Sequence, residues 1–466
     1  MGCLIRKHAD VIDHNSYMIQ SGFIAAIDLG TSQIKAVLGR MNENKVISVL
    51  ASETTPSSNC IRRGLVYNVE ETGGKVKKLI SMLENSVGRK IGRVYVSVAG
   101  QSLHSIEHRE RKQLSSSGIV TEDVIGQLRN VAEKHNHELL KRYAIADVEY
   151  FLDDKAEKNP VGVSCTVIEA DYEMIVGRPN LMTNIERSIR EKAQMEIAGY
   201  TVGALASAAI ALNEDEKELG CAFIDFGAGT TTLSIYKGGI LRKMVTIPFG
   251  GRNITKDICE LNFTENDAEQ YKIKFGKAYD SNENSLFSPF SSKPDIDLVE
   301  LNKVIRMRLD EITANLKEQI KLSGYEGQLG AGIIITGGAS QLKNLDIYLT
   351  EKLKMPVRRA SAKKSYVNNS SELANNPAYT QLLGLLTFAT EDCEAIAIEM
   401  GDDSEEKEAQ TATKKPSGGR LWGRSSSKPK EPAKVKKEKN TQDGGGFFTK
   451  MENMFGGMFS EEDEDN

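Results

Sequence analysis

The chain has 466 residues, 39% hydrophobic and 27% charged, with a formal net charge of −5. This length exceeds a single core and predicts two or three domains, and the acidic balance argues against general nucleic-acid binding. The six cysteines are scattered without a CxxC pair, no apolar run of about 18 residues offers a spanning helix, and no signal peptide opens the chain; together these read as a cytosolic protein whose cysteines are small core residues.

Residues 1–20 read as a polar tail. Met1-Gly2-Cys3 hints at acylation, but Arg6 stands where that motif needs Ser or Thr, and Met18 is a second candidate start. Residues 23–40, FIAAIDLGTSQIKAVLGR, read as an apolar strand ending in Asp28, a turn at Gly30-Thr31-Ser32 and a return strand. A strand over 46–55, a helix over 68–87 opened by Asn68, and a strand over 94–99 follow. Residues 102–181, with strand-like runs at 144–151 and 165–176 and one helix after Thr121, read as an inserted subdomain. Helices are predicted over 184–198 and 202–212.

Residues 220–241, GCAFIDFGAGTTTLSIYKGGIL, repeat the grammar of 23–40. IDLGTS and IDFGAGTT align Asp28 with Asp225 and Gly30 with Gly227, 197 positions later. That spacing is too long for a solenoid unit and suits two homologous domains, each offering a hairpin to a shared cleft. Glycine leaves successive amides open, so such tips can approach a phosphate from both sides. A strand-end Asp is suited to holding water around Mg²⁺, which sheds its hydration shell reluctantly. A strand over 244–249 leads through Gly250-Gly251 into a helix over 254–259, and two more helices in 264–328 form a second small subdomain. The run GIIITGGAS, 332–340, puts Gly337, Gly338 and Ser340 between a strand and a helix N-terminus, where exposed amides suit a nucleotide.

Residues 391–443 have the composition of a disordered linker, and 414–439 carry ten Lys or Arg against two acids. In the stretch beyond it, Phe447, Phe448, Met451, Met454, Phe455, Met458 and Phe459 fall within about 140° of one helical face. A tethered amphipathic helix needs an external surface, either lipid or a partner groove. One lysine and an acidic tail weaken attraction to anionic lipid, which the basic linker would offset.

The two Asp-Gly-Thr hairpins, GIIITGGAS and the two inserts together resemble the actin-like ATPase superfamily. The run Asn159-Pro160-Val161-Gly162, IPFGG, GGASQLKNL and the tethered helix narrow the resemblance to the FtsA family of bacterial cell-division proteins. It covers about residues 23–390, with the tail matching in kind. It implies an α/β actin-like two-domain fold built from duplicated RNase H-like domains with two inserted small subdomains. The boundaries expected are a tail at 1–20, a first core domain at 21–101 and 183–216, and a family-specific insert at 102–182. A second core domain at 217–251 and 325–390 carries its own insert at 252–324, before the linker at 391–443 and the membrane-targeting helix and acidic tail at 444–466.

The resemblance further implies ATP and Mg²⁺ as ligands. Gly30, Thr31, Ser32 and Gln33 would face the phosphates from one side, and Gly227, Ala228, Gly229, Thr230 and Thr231 from the other. Gly250 and Gly251 belong to the same set, Gly337, Gly338 and Ser340 would line the adenosine site, and Asp28 and Asp225 would order water around Mg²⁺. Ala228 stands where the family often has glycine, which would tighten the phosphate site. No catalytic residue is identified, and weak or absent ATPase activity is expected. The family anchors FtsZ filaments to the cytoplasmic face of the inner membrane at the division site; by this resemblance the first insert would serve self-association and the second would receive the FtsZ C-terminal peptide. The alternative reading is another member of the superfamily, an ATPase or a sugar or acid kinase, with a membrane- or partner-binding tail. A kinase needs a base on a substrate hydroxyl, and none is identifiable.

Overall fold

The structure, a computed structural model, describes residues 22–57, 59–115, 118–135, 139–279, 296–363 and 365–395. The seven apolar residues from Phe447 to Phe459, residues 1–21 and the linker sequence from 396 onward lie outside them, whereas 391–395, read from sequence as the start of the linker, are described and hydrogen-bonded to the first half. The first sheet runs, neighbour to neighbour, Glu196–Val202, Arg93–Val98, Ile24–Leu29, Gln33–Met41 and Ile47–Pro56. The second contains Val357–Arg359, Ile333–Thr336, Cys221–Phe226, Thr231–Lys237 and Ile240–Ile247 in the corresponding order. In each, three consecutive strands are antiparallel and two later strands add in parallel to the first. The duplication visible in two short hairpins therefore extends to whole sheets. The strands that open each half, IAAIDL and CAFIDF, are apolar throughout except for their Asp because both faces are covered.

The first insert leaves the sheet after Arg93–Val98. Its strands His104–Gln113, Lys141–Leu152 and Val167–Gly177 pair antiparallel, and the helix Glu122–Lys134 covers one face over buried Leu128, Ala132, Ile168 and Met174. Thr121 caps that helix, its hydroxyl accepting from Val124 N at 3.3 Å. This sheet continues the second half's sheet through one bridge, His104 to Val245. Asp147 accepts from Leu241 N at 2.8 Å, Ser105 Oγ from Met244 N at 2.7 Å, and Glu149 pairs with Arg242 at the same joint.

Glu173 lines this joint with Glu107, Asp147 and Asp171. Burial pushes its carboxyl up to about 7; Glu107 and Asp147 add to the shift, while the Ser105 hydroxyl and Arg242 oppose it. A raised acid stabilises the fold below its unfolded value near 4.5, and that contribution disappears as pH rises through about 7. Glu173→Gln is therefore expected to raise the melting temperature at pH 8 by roughly 2–4 °C and to have a much smaller effect at pH 5. Thermal melts at the two pH values check this.

The second insert packs the helices Gly251–Cys259, Glu265–Phe275 and Leu298–Leu322. Leu301, Ile305, Leu309, Ile312, Leu316 and Ile320 recur at helical spacing and are all buried. Arg308 ties the long helix to the first through Asp257, at 2.6 and 2.8 Å.

Two segments differ from the sequence reading. The helix predicted over 184–198 is the α-helix Asn180–Glu186 followed by a π-helical turn Arg187–Lys192, and Glu196–Val202 is an edge strand. Its residues pair in parallel with Arg93–Val98, so tertiary pairing overrides the local helical pattern. The helix Thr380–Leu386 falls in the stretch read as second domain, but it packs on Ile24–Leu29 and Gln33–Met41 of the first. It crosses the helix Gly203–Ala211 where Gly384 meets Ala206 backbone to backbone. No helix among the described residues is long and apolar enough to cross a membrane.

Candidate functional site

The two hairpin turns close in the same way. Gly30 N donates to Gln33 O at 3.1 Å, and Gly227 N donates to Thr230 O at 2.9 Å. A Cβ on either glycine would lie within 2.6 or 2.9 Å of that oxygen, so neither turn tolerates a side chain there. The tips meet at Gly229, where a Cβ would lie 2.5 Å from Thr31 Oγ1. That hydroxyl also accepts from Gly64 N at 3.1 Å.

A cleft of about 810 Å³ opens at this meeting point, within the range of sites that enclose cofactor-sized ligands. Asp28, Gly30, Thr31, Ser32 and Gln33 line it from the first half; Asp225, Gly227, Ala228, Gly229 and Thr230 from the second. Gly251, Gly337 and Gly338 complete the predicted residues along its wall.

Thr231, Gly250 and Ser340 do not line it. The Thr231 hydroxyl donates to Phe249 O at 2.8 Å, tying the hairpin to the following loop. A Cβ on Gly250 would lie 2.6 Å from the Gly227 and Ala228 carbonyl oxygens. Beside it, Gly251 N and Arg252 N donate to those same oxygens at 2.9 and 2.8 Å, so the helix N-terminus fastens the hairpin tip. Ser340 is buried and closes its own turn by donating to Gly337 O at 2.7 Å.

The two strand-end acids sit in different surroundings. Asp28 Oδ1 accepts from Ser97 Oγ at 2.9 Å and Gln381 Nε2 at 2.6 Å, and its Oδ2 lies 3.8 Å from Lys35 Nζ. Asp225 Oδ2 accepts from Ser207 Oγ at 3.0 Å. Burial pushes Asp225 up to about 6, with the charge of Asp28 adding to it and Ser207 and Lys35 opposing. Two acids that repel across a cleft are suited to a cation placed between them. Among the described residues no three His, Cys, Asp or Glu side chains are grouped to hold a metal ion. This donor set fits a cation that keeps most of its water, which is the habit of Mg²⁺.

The sequence reading missed Lys35, Gln381, Glu269 and Lys272, which all line the cleft. Lys35 Nζ donates to Ala378 O at 2.6 Å and sits 5.3 Å from the Tyr379 ring centre. It lies two residues past Gln33 on a strand, hence on the same face, and that alternation was the available signal. Glu269 and Lys272 pair at 2.7 Å as i and i+3 on Glu265–Phe275. Such a pair is usually a solvent-facing one, so its type gave no warning. Here Lys272 also donates to Gly251 O and Thr255 Oγ1, at 2.9 and 2.8 Å, and burial holds its ammonium below the usual value while Glu269 opposes that shift. One oxygen of Glu269 is thereby occupied.

Comparison with known proteins agrees with this architecture. The family model described as cell division protein FtsA matches residues 222–384. Among curated relatives, the cell division protein FtsA of Porphyromonas gingivalis is 30% identical over 391 residues, covering 81% of this chain and 81% of its own. That of Pseudomonas aeruginosa is 29% identical over 390 residues, 79% of this chain and 90% of its own. Among solved structures, a chain of the PilM-PilN type IV pilus biogenesis complex superposes with a TM-score of 0.54 at 16% identity. It covers 79% of this chain and 98% of that one, so the actin-like two-domain fold is shared although the sequences have diverged. With a relative 30% identical across four-fifths of both chains, the chain belongs to the FtsA family of cell division proteins.

Proposed function

We propose that this actin-like cell-division protein binds ATP with Mg²⁺ in the cleft between its two halves and polymerises. We further propose that it anchors FtsZ filaments to the cytoplasmic face of the inner membrane through its C-terminal amphipathic helix. The observation that carries the nucleotide reading is the pair of apposed hairpins, each closed by the same glycine turn and each ending in an acid. The tip amides other than those of Gly30 and Gly227, which close the turns, would with the Thr31 and Thr230 hydroxyls be the donors for phosphate oxygens. Asp28 and Asp225 would hold the water around Mg²⁺, which would supply neutralisation of phosphate charge. Lys35 supplies a fixed positive charge beside Asp28. The free oxygen of Glu269, held in place by Lys272, is an acceptor for ribose hydroxyls.

A ligand gripped from both halves biases the angle between them, and that angle governs whether a copy fits its neighbour in a filament. In the second insert, Val299 and Met307 expose apolar side chains on one long helix, which supports it as the receiver of the FtsZ C-terminal peptide. Pull-down of the full chain with that peptide tests the partner: retention is expected, and no binding would favour a different actin-like branch.

Membrane attachment is tested separately. A chain truncated before Gly444 is expected to lose most of its co-sedimentation with anionic liposomes, because several apolar side chains worth roughly 1.5–3 kcal/mol each when fully buried are removed. Unchanged sedimentation would sink the anchor reading.

A further inference from the structure

The C-terminal end of the described residues runs alongside the strand Ile24–Leu29 and grips it at both ends. At the cleft end, Gln381 Nε2 donates to Asp28 Oδ1 at 2.6 Å. Just before it, Ala378 O accepts from Lys35 at 2.6 Å, and Thr380 Oγ1 accepts from Thr336 Oγ1 of the second half at 3.0 Å. The helix Thr380–Leu386 then lies on the strand through Leu382, Leu383, Leu385 and Leu386, in the same core as Ile24 and Ile27. At the far end, Cys393 N donates to Phe23 O at 2.9 Å, and Phe23 N donates to Asp392 Oδ1 at 3.1 Å. Tyr95 Oη accepts from both Thr390 N and Glu391 N at 2.9 Å. Arg93–Glu391 and Arg89–Glu394 ion pairs complete the hold, on the first residues of the linker sequence.

We infer that residues 376–395 form a splint that couples occupancy of the cleft to the grip on the root of the linker, with Gln381 as the positioning residue at the cleft end. The inference rests on the nucleotide reading of the cleft and adds a regulation to it. Whatever fixes Asp28 also fixes Gln381, and through the packed helix it reduces local opening at 390–395. Coupling of this kind is reciprocal: a load that loosens 390–395 weakens the ligand at Asp28 by the same factor. Attachment of the tail and filling of the cleft would then read each other through one strand.

Hydrogen exchange on the full-length protein, with and without saturating ATP and Mg²⁺, tests this. Binding in the same sample is followed by calorimetry. The Cys393 and Ala395 amides, bonded to Phe23 O and Lys90 O, are expected to exchange about tenfold more slowly when nucleotide is bound. In Gln381→Ala, at its own saturating nucleotide, that bound-to-free ratio is expected to fall close to one. A residue of merely structural role would change both states alike and leave the ratio intact. Tyr95→Phe, which removes only the far-end hydroxyl, is the second variant and is also expected to reduce the ratio. A wild-type ratio of one despite calorimetric binding, or a ratio preserved in both variants, would overturn the splint. An absence of calorimetric binding would overturn the nucleotide reading and the splint together, a signature distinct from either.

Discussion

Replacing Asp225 with alanine is expected to lower the affinity for Mg–ATP by about 100-fold, roughly 2.7 kcal/mol. Asp225 interrupts an otherwise apolar strand at the point where the glycine turn starts. A carboxylate in that position is unfavourable for the fold: it is pushed up to about 6 by burial and by Asp28, and among the described residues only Ser207 bonds it. Under the proposed function that placement has a reason: the carboxylate would hold water around a cation beside the phosphates. In the presence of a chelator the wild type and Asp225→Ala should therefore bind nucleotide with similar weak affinity, since only the cation-linked part of binding is removed. Titration calorimetry with and without Mg²⁺ separates these outcomes, and a variant with unaltered Mg–ATP affinity would refute the assigned site.

Gly384→Val is expected to destabilise the folded chain by about 3 kcal/mol or more, at the upper end of what overpacking costs. Any Cβ at this position would lie 2.0 Å from the backbone oxygen of Ala206, an atom that no rotamer change can move aside. The helix Gly203–Ala211 carries Ser207, which bonds Asp225, and the helix Thr380–Leu386 carries Gln381, which bonds Asp28. Forcing the two helices apart thus disturbs both acids as well as the core. The melting temperature should fall by about 6 °C or more, and Mg–ATP affinity should fall with it. A melting temperature within error of wild type would show that the crossing is looser than the contact implies.

The duplicated hairpins were legible because they depend on local chemistry: an apolar strand, a single acid, then residues that turn without side chains. The GIIITGGAS turn was legible for the same reason. Lys35 was within reach of the same reasoning, since strand alternation puts it on the face of Gln33. Gln381 was not, because it meets Asp28 across 353 positions and a glutamine in a short apolar helix has no distinguishing spacing. Ser97 and Ser207 were hidden for the same reason, as ordinary residues made important by what packs opposite. The strand Glu196–Val202 was misread because its pairing partner lies about a hundred positions earlier. Thr231, Gly250 and Ser340 sit in the right motifs but face inward, where they brace the cleft wall without lining it. The motifs therefore brought their residues to one cleft to within a turn, whereas the direction each side chain faces was decided by the sheets.

The most direct measurement is a calorimetric titration of the full-length protein with ATP, first in Mg²⁺ and then in a chelator. Saturable binding of one nucleotide per chain, strengthened at least about tenfold by Mg²⁺, is the result the paired hairpins and their acids require. Absence of saturable binding, or an affinity indifferent to Mg²⁺, would contradict the assignment of the cleft.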